Sequence, residues 1–230
     1  SGYRRPESCE DFWLWVNAAI AEIDKKITKQ VNEILHHPKF IQLESTWRSL
    51  YDLANFSLGR KNIKVRVLDI NWAEISKDVN RAVEFDQSQL FQKIYSDEFD
   101  IPGGEPYGTL IADFSISHRP SATHRYDDVP TLERLAEIAS ASFSPLLINA
   151  APQLFGLDDF DMLTQPINLQ EIFKESEYQA WNRLRKHSDT RFLGVTLPRV
   201  LLRRPYTIKI DSIGGIRYAE SNAHATKQHY

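Results

Sequence analysis

The feature that most limits how this chain can fold is an apolar stripe near its start, ended by a proline. Trp13, Val16, Ile20, Ile23, Ile27, Val31 and Ile34 follow one another at steps of three and four residues. Those steps keep every side chain on one face of an α-helix about seven turns long. Pro38 has no amide hydrogen and cannot continue the ladder, but it suits the first turn of a new helix. Phe40, Leu43, Trp47, Leu50 and Ala54 then resume the period. The spacing predicts a helix over 10–36, a break at His36-His37-Pro38 and a second helix, together an N-terminal helical segment over 1–60.

Beyond residue 60 the pattern changes. "IKVRVLDI" (63–70) alternates apolar and charged residues and reads as a strand. Asn71…Glu74, Asp86…Gln89, Asn168…Glu171 and Ser176…Gln179 each have the form of a capping box. They predict helices near 71–83 and 86–98, and short ones near 168–174 and 176–186. "TLIADFSI" (109–116), "PLLINA" (145–150) and "RFLGVTLP" (191–198) read as further strands, with a helix over 131–143 between the first two. The near-continuous apolar run of 145–150 suggests a strand covered on both faces. Strands alternating with helices indicate an α/β fold: a helical N-terminal arm, then a largely parallel sheet flanked by helices, with a mixed sheet as the alternative. The α/β domain is expected over 61–206 and an irregular segment over 207–230.

Net charge −3 gives no basis for non-specific nucleic-acid or anionic-membrane binding. A single cysteine, Cys9, excludes an internal disulfide framework and a thiolate metal cluster. It lies among Glu7, Glu10 and Asp11, where negative charge disfavours a reactive thiolate. With no apolar run near eighteen residues and no signal peptide, a soluble protein of a reducing compartment, the cytoplasm, is expected. The five Trp, nine Tyr and twelve Phe imply large buried or interface surfaces.

The motif that invites an enzymatic reading is "PGGEPYGTLIADF" (102–114), because Gly103 and Gly108 have phosphate-loop spacing. Such a loop also needs a Lys, a Ser/Thr on Mg²⁺ and a following helix whose N–H groups face the anion. Here Thr109 follows Gly108 directly, and a strand comes next. Gly103, Gly104, Pro106 and Gly108 are therefore expected to form a tight helix-to-strand turn. "GLDDFD" (156–161) lacks the Ca²⁺-loop pattern and reads as a solvated turn with Leu157 and Phe160 packed inward. His36 and His37 are adjacent, so on a helix their side chains diverge. His118 and His124 could share a metal only if "HRPSATH" folded back on itself. No Gly-x-Ser-x-Gly elbow is present. Arg199, Arg203 and Arg204 could clasp a phosphate or an acidic partner, or pair internally with Asp or Glu. No catalytic residue, metal site or cofactor site is predicted. The rival to a binding or assembly role is a small-molecule pocket outside the carboxyl ends of the strands.

Five stretches, taken together and in order, resemble the large subunit of the type VI secretion contractile sheath, the TssC/VipB family. They are "ILHHPKFIQLESTWRSL" (34–50), "EFDQSQLFQKIYSDEFDIPGGEPYG" (84–108), "APQLFGLDDF" (151–160), "FKESEYQAWNRLRKHSDTRFLGVTLPRVLLRRPY" (173–206) and the final "KQHY" (227–230). The resemblance runs from about Asp24 to the end. It implies a structural protein, without cofactor, that pairs with a small sheath subunit and self-associates as a helical tube around an inner tube protein. Contraction then drives the inner tube outward, and a ring-forming ATPase dismantles the contracted sheath. The implied work is a switch between two packings rather than bond chemistry. Family members are substantially longer, so a portion of such a protein is expected, lacking the early segment that engages the ATPase and the parts needed for strand exchange between subunits. "WRSLYDLANFSLGRKN" (47–62) fits less tightly and points to a divergent or paralogous member. The expected contact residues are Trp13, Ile20 and Ile27 on the first helix, with Arg199, Arg203 and Arg204.

Overall fold

The computed structural model describes residues 8–121, 124–164, 166, 168–207 and 218–220. The chain divides into two compact units, residues 1–65 with 200–230, and residues 66–199.

The first unit is built on two helices, α1 (Cys9–Leu35) and α2 (Pro38–Ser57). Ser8 caps α1 by accepting the Asp11 N–H at 3.1 Å, which satisfies one of the amides a helix start leaves orphaned. The break falls where the prolyl ring demands it. His36 ends α1, His37 is extended, and Pro38 occupies the first turn of α2. Neither helix has a buried residue among those described. The segment 201–207 and Tyr218–Glu220 belong to the same unit, and Tyr218 is buried. Apart from Thr207 and Tyr218–Glu220, the segment 207–230, with its closing "KQHY", lies outside the described residues.

The second unit holds a parallel sheet of β1 (Leu110–Ile116), β2 (Leu146–Ala150) and β3 (Leu193–Thr196), in the order β1-β2-β3. Leu110 stands opposite Leu146, and Leu146 opposite Leu193. Helices α3 (Trp72–Arg81), α4 (Gln89–Phe91), α5 (Asp128–Ala141), α6 (Leu169–Ile172) and α7 (Gln179–Leu184) accompany it. Trp72, Ile75 and Val79 of α3 and Leu132, Leu135 and Ile138 of α5 share one core with Ile116, Leu146, Ile148, Leu154, Tyr178 and Trp181. Each fully buried aliphatic side chain of this size contributes about 1.5–3 kcal/mol. The capping box expected at α3 is complete: Asn71 accepts the Glu74 N–H and Glu74 accepts the Asn71 N–H, both at 2.9 Å.

Three expectations need correction. Residues 63–70 form no strand, although the alternation is correct for one. A strand requires a ladder partner, and none of the described strands pairs with this segment. The single helix expected over 86–98 is a 3₁₀ turn (Phe85–Gln87), then α4, then a π-helical stretch (Gln92–Ser96). Ser88 is extended at φ −75°, ψ 148° and restarts the helix by accepting the Phe91 N–H. The Asp78 carboxylate of α3 accepts the next orphan amides, of Gln89 and Leu90. Finally, β2 is covered on one face only. Leu146, Ile148 and Ala150 point into the core, while Leu147 and Asn149 are exposed. The sheet order steps in one direction, so right-handed crossovers place both connections on the same face.

Candidate functional site

In the first unit, the charged residues close to one another form an internal clasp. Arg203 Nε donates to Glu44 Oε1 at 2.6 Å and Nη2 to Glu44 Oε2 at 3.2 Å. The same guanidinium reaches Glu220, with Nη1 to Oε2 at 2.7 Å and Nη2 to Oε1 at 3.3 Å. It also lies 4.6 Å from the centre of the Tyr206 ring. Arg48 donates to Glu44 at 2.8 Å and to the Tyr206 hydroxyl at 2.9 Å. Glu220 accepts the Tyr206 N–H at 3.0 Å and lies 2.9 Å from His36 Nε2, at the end of α1. Tyr218 donates to Asn32 of α1 at 2.7 Å. This is the planar, two-sided carboxylate recognition that arginine performs and lysine does not.

The electrostatics follow from the geometry. Burial alone would push the Glu44 carboxyl up, but hydrogen bonds from Arg203 and Arg48 outweigh it and hold it below the usual carboxylate range. Burial likewise works against Glu220, and Arg203, the Tyr206 amide and His36 overcome it. Arg203 is held firmly protonated: burial opposes its charge, and the two carboxylates restore it. Arg203 thus pairs internally, the second of the two roles its sequence position allowed. Arg199 and Arg204 are exposed.

The apolar stripe that dictated α1 has a different fate. Trp13 is 60% exposed and Ile20 is 50% exposed; Ile23 and Ile34 are also exposed, and Ile27 is half-buried. On α2, Trp47, Leu43, Tyr51 and Phe56 are exposed as well. Contiguous apolar area of this kind marks an interaction surface more often than an ordinary exterior.

In the second unit, the carboxyl end of β1 leads into a buried polar knot. Asp128, in the first turn of α5, is fully buried and well satisfied. It accepts from Trp72 Nε1 at 2.7 Å and from the Ser117 N–H at 2.8 Å, with His124 Nε2 at 2.7 Å. His118 stacks on Tyr178 with ring centres 4.1 Å apart, and its Nε2 is 3.6 Å from Glu177, beyond hydrogen-bond range. Ser117 Oγ, both His118 ring nitrogens and the Tyr178 hydroxyl are buried without a hydrogen-bond partner. Burial pushes the His118 pKa down and the Tyr178 pKa up. His124 thus engages Asp128 while His118 does not share that carboxylate, and no group of three metal-binding side chains occurs among the described residues. Packed side chains occupy this strand end. Surface grooves run instead along α3, one lined by Asn80, Glu133, Arg134 and Glu137, another by Glu74, Lys77, Arg81 and Val83.

The glycine-rich stretch is a turn leading into β1. Gly103 has φ +82°, a conformation that excludes most other residues. A Cβ on Gly104 would lie 2.3 Å from the Glu98 carbonyl oxygen. In "GLDDFD", Gly156 is left-handed, Leu157 is buried and Phe160 packs on the core. The sequence did not reveal the Arg203–Glu44–Glu220 clasp or the Asp128 knot. The first joins residues 159 apart in sequence, which no local spacing encodes. The second had one faint signal, the Asp127-Asp128 pair before an apolar helix.

No described helix is long and apolar enough to cross a membrane. Residues 17–230 match the VipB family model, described as EvpB/VC_A0108, tail sheath N-terminal domain. The chain is also similar to the type VI secretion system sheath protein TssC1 of Pseudomonas aeruginosa strain PAO1, with 36% identity over 217 residues. That alignment covers 94% of this chain and 42% of the relative's length.

Proposed function

The chain belongs to the VipB family of type VI secretion tail-sheath proteins, and from that membership we propose that it is a structural part of a contractile sheath in the cytoplasm. It assembles with a small sheath subunit and with copies of itself around an inner tube protein, and contraction of the assembly expels that tube. Disassembly by the sheath-specific ATPase belongs to the whole protein. Neither nucleic acid nor a membrane is a partner in this reading, and no cofactor or bond chemistry enters it.

The observation that carries the proposal is the unburied apolar surface of α1 and α2. Helices with regular three-and-four spacing that bury no residue of their own are suited to a partner. Trp13, Ile20 and Ile27 are the proposed contacts on α1, with Arg204 as an exposed cation of the same unit; Arg199, in the second unit, is proposed as a separate polar contact. The packed strand end at Ser117, His118 and Tyr178 favours this over a small-molecule pocket.

The test is co-expression with a small sheath subunit, followed by affinity purification and electron microscopy of the full-length parent. Tubular assemblies are expected, together with stable co-purification that Trp13→Asp/Ile20→Asp abolishes. A parent that never forms tubes, or a double variant that co-purifies unchanged, overturns the proposal. Calorimetry with ATP should detect no binding tighter than about 10 μM, near −7 kcal/mol.

A further inference from the structure

We propose that residues 203–206 and Tyr218–Glu220 form a polar strap that sets the angle between α1 and α2, so that the break at His36–Pro38 is a hinge the strap holds and can release. The inference concerns the shape of the first unit and does not depend on the assembly reading.

The break by itself leaves the angle open. His36 sits at φ −94°, ψ 5° and His37 at φ −71°, ψ 128°, so an extended residue joins the two helices and no helical ladder runs through it. Pro38 stops α1 because it has no amide to give. It also confines His37 to the extended region, but that region is still about 40° wide in ψ. Packing does not narrow the choice. Neither helix has a buried residue among those described, and no residue of either joins the hydrophobic core.

The strap meets each helix on one stripe. On the α1 side the Tyr218 hydroxyl donates to Asn32 at 2.7 Å, and Glu220 Oε1 lies 2.9 Å from His36 Nε2. On α2, Glu44 accepts from Arg203 Nε at 2.6 Å, and Arg48 donates to the Tyr206 hydroxyl at 2.9 Å. Asn32 and His36 are four residues apart, as are Glu44 and Arg48, so each pair shares one face of the chain it belongs to. The two halves of the strap are tied to each other as well. The Glu220 N–H donates to Tyr206 O at 3.0 Å, and the Tyr206 N–H donates to Glu220 Oε2 at 3.0 Å. Arg203 closes the tie with two further bonds to Glu220, whose side chain is only 5% exposed.

Two points on each side of a break fix an orientation, which a single contact would not do. The bonds are polar and the arginines partly solvated, so water can replace them without unfolding either helix. A few residues at the ends of elements are the usual place for such a hinge. The leverage is long. α1 has 27 residues, about 40 Å at 1.5 Å per residue, so a change of about 20° at the break carries its far end about 14 Å.

Double electron–electron resonance on the chain is the test, with spin labels at Asn17→Cys and Asp52→Cys, both exposed positions, in a Cys9→Ser background. The parent should give one narrow distance. Glu220→Gln keeps the shape and removes the charge, while Arg203→Lys keeps the charge and loses the two-sided fork. Each should widen the distribution about twofold or move its mean by about 5 Å, since Asn17 stands about 28 Å along α1 from the break and a change of about 10° suffices. Tyr218→Phe, which removes only the bond to Asn32, should have a smaller effect of the same kind. Far-UV circular dichroism should show the helical signal unchanged in all three. A parental distribution in both Glu220→Gln and Arg203→Lys overturns the proposal, as does a parent whose labels already sample a broad range. A distance change matched by loss of helical signal in every variant also overturns it, because that reports unfolding and not a hinge.

Discussion

Helices α1 and α5 both space apolar residues three and four apart, as at Leu132, Leu135 and Ile138 of α5, yet α5 buries eight of its residues and α1 buries none. The difference lies in what surrounds them rather than in the helices. α5 follows β1 and precedes β2, so a right-handed crossover lays its apolar face on the sheet. Among the described residues, α1 and α2 have no sheet in their own unit, and there the tying is polar, through Arg203, Glu44 and Glu220. A hydrophobic stripe therefore reports that a face wants covering, and topology decides whether the same chain covers it.

The largest expected effects sharpen this contrast. Leu132→Ala in α5 removes a fully buried side chain and should cost about 3–4 kcal/mol. Leu14→Ala or Ile23→Ala in α1 should stay within about 0.5 kcal/mol. Urea titrations of the three variants compare them directly, and similar losses would break the contrast. Gly104→Ala, which sets a methyl group against the Glu98 carbonyl, should cost about 2–3 kcal/mol. Gly108, where an added Cβ meets nothing within 4 Å, should tolerate alanine nearly without loss.

Arg203→Ala tests the clasp. It leaves Glu44 and Glu220 facing each other with their main counter-charge gone, and should destabilise the first unit by about 1–3 kcal/mol, discounted because the cluster is partly solvated. Hydrogen exchange should place the loss in α1, α2 and 201–207, leaving α5 unchanged. A loss spread equally over both units would contradict the division.

The two units should also respond to acid in separate windows. His118 has its folded-state pKa lowered by burial. The unfolded chain therefore binds the proton more readily, and stability in the second unit falls as pH drops below about 6.5, until the lowered folded value is passed. Glu44 and Glu220 are depressed carboxylates, so their contribution is present above about 4.3 and is lost below it. Hydrogen exchange between pH 7 and 5 should thus loosen the Ser117–His118 region before the clasp. His118→Gln should flatten that first response; an unchanged profile would assign it to another group.

Much of the fold was legible because its signals are local. The α1–α2 break followed from the missing amide of Pro38, and the start of α3 from the Asn71–Glu74 box. The strand expected at 63–70 failed because alternation describes one strand and pairing needs two. The helix over 86–98 failed because Ser88 and Asp78 supply a second helix start within it. Of the sites, the Gly103–Gly108 stretch was conspicuous in the sequence, and its spacing alone suggested a phosphate loop; the missing Lys and the strand that follows argued for a turn. The clasp and the buried Asp128 are products of tertiary contact, which a single sequence does not display.

The central claim is that the exposed apolar faces of α1 and α2 serve assembly. Hydrogen–deuterium exchange of the chain alone and in complex with a small sheath subunit tests it most directly. The account predicts strong new protection across α1 and α2, centred on Trp13–Ile27, with the core of α5 unchanged. A stable complex that leaves both helices exchanging as they do in the free chain would contradict it.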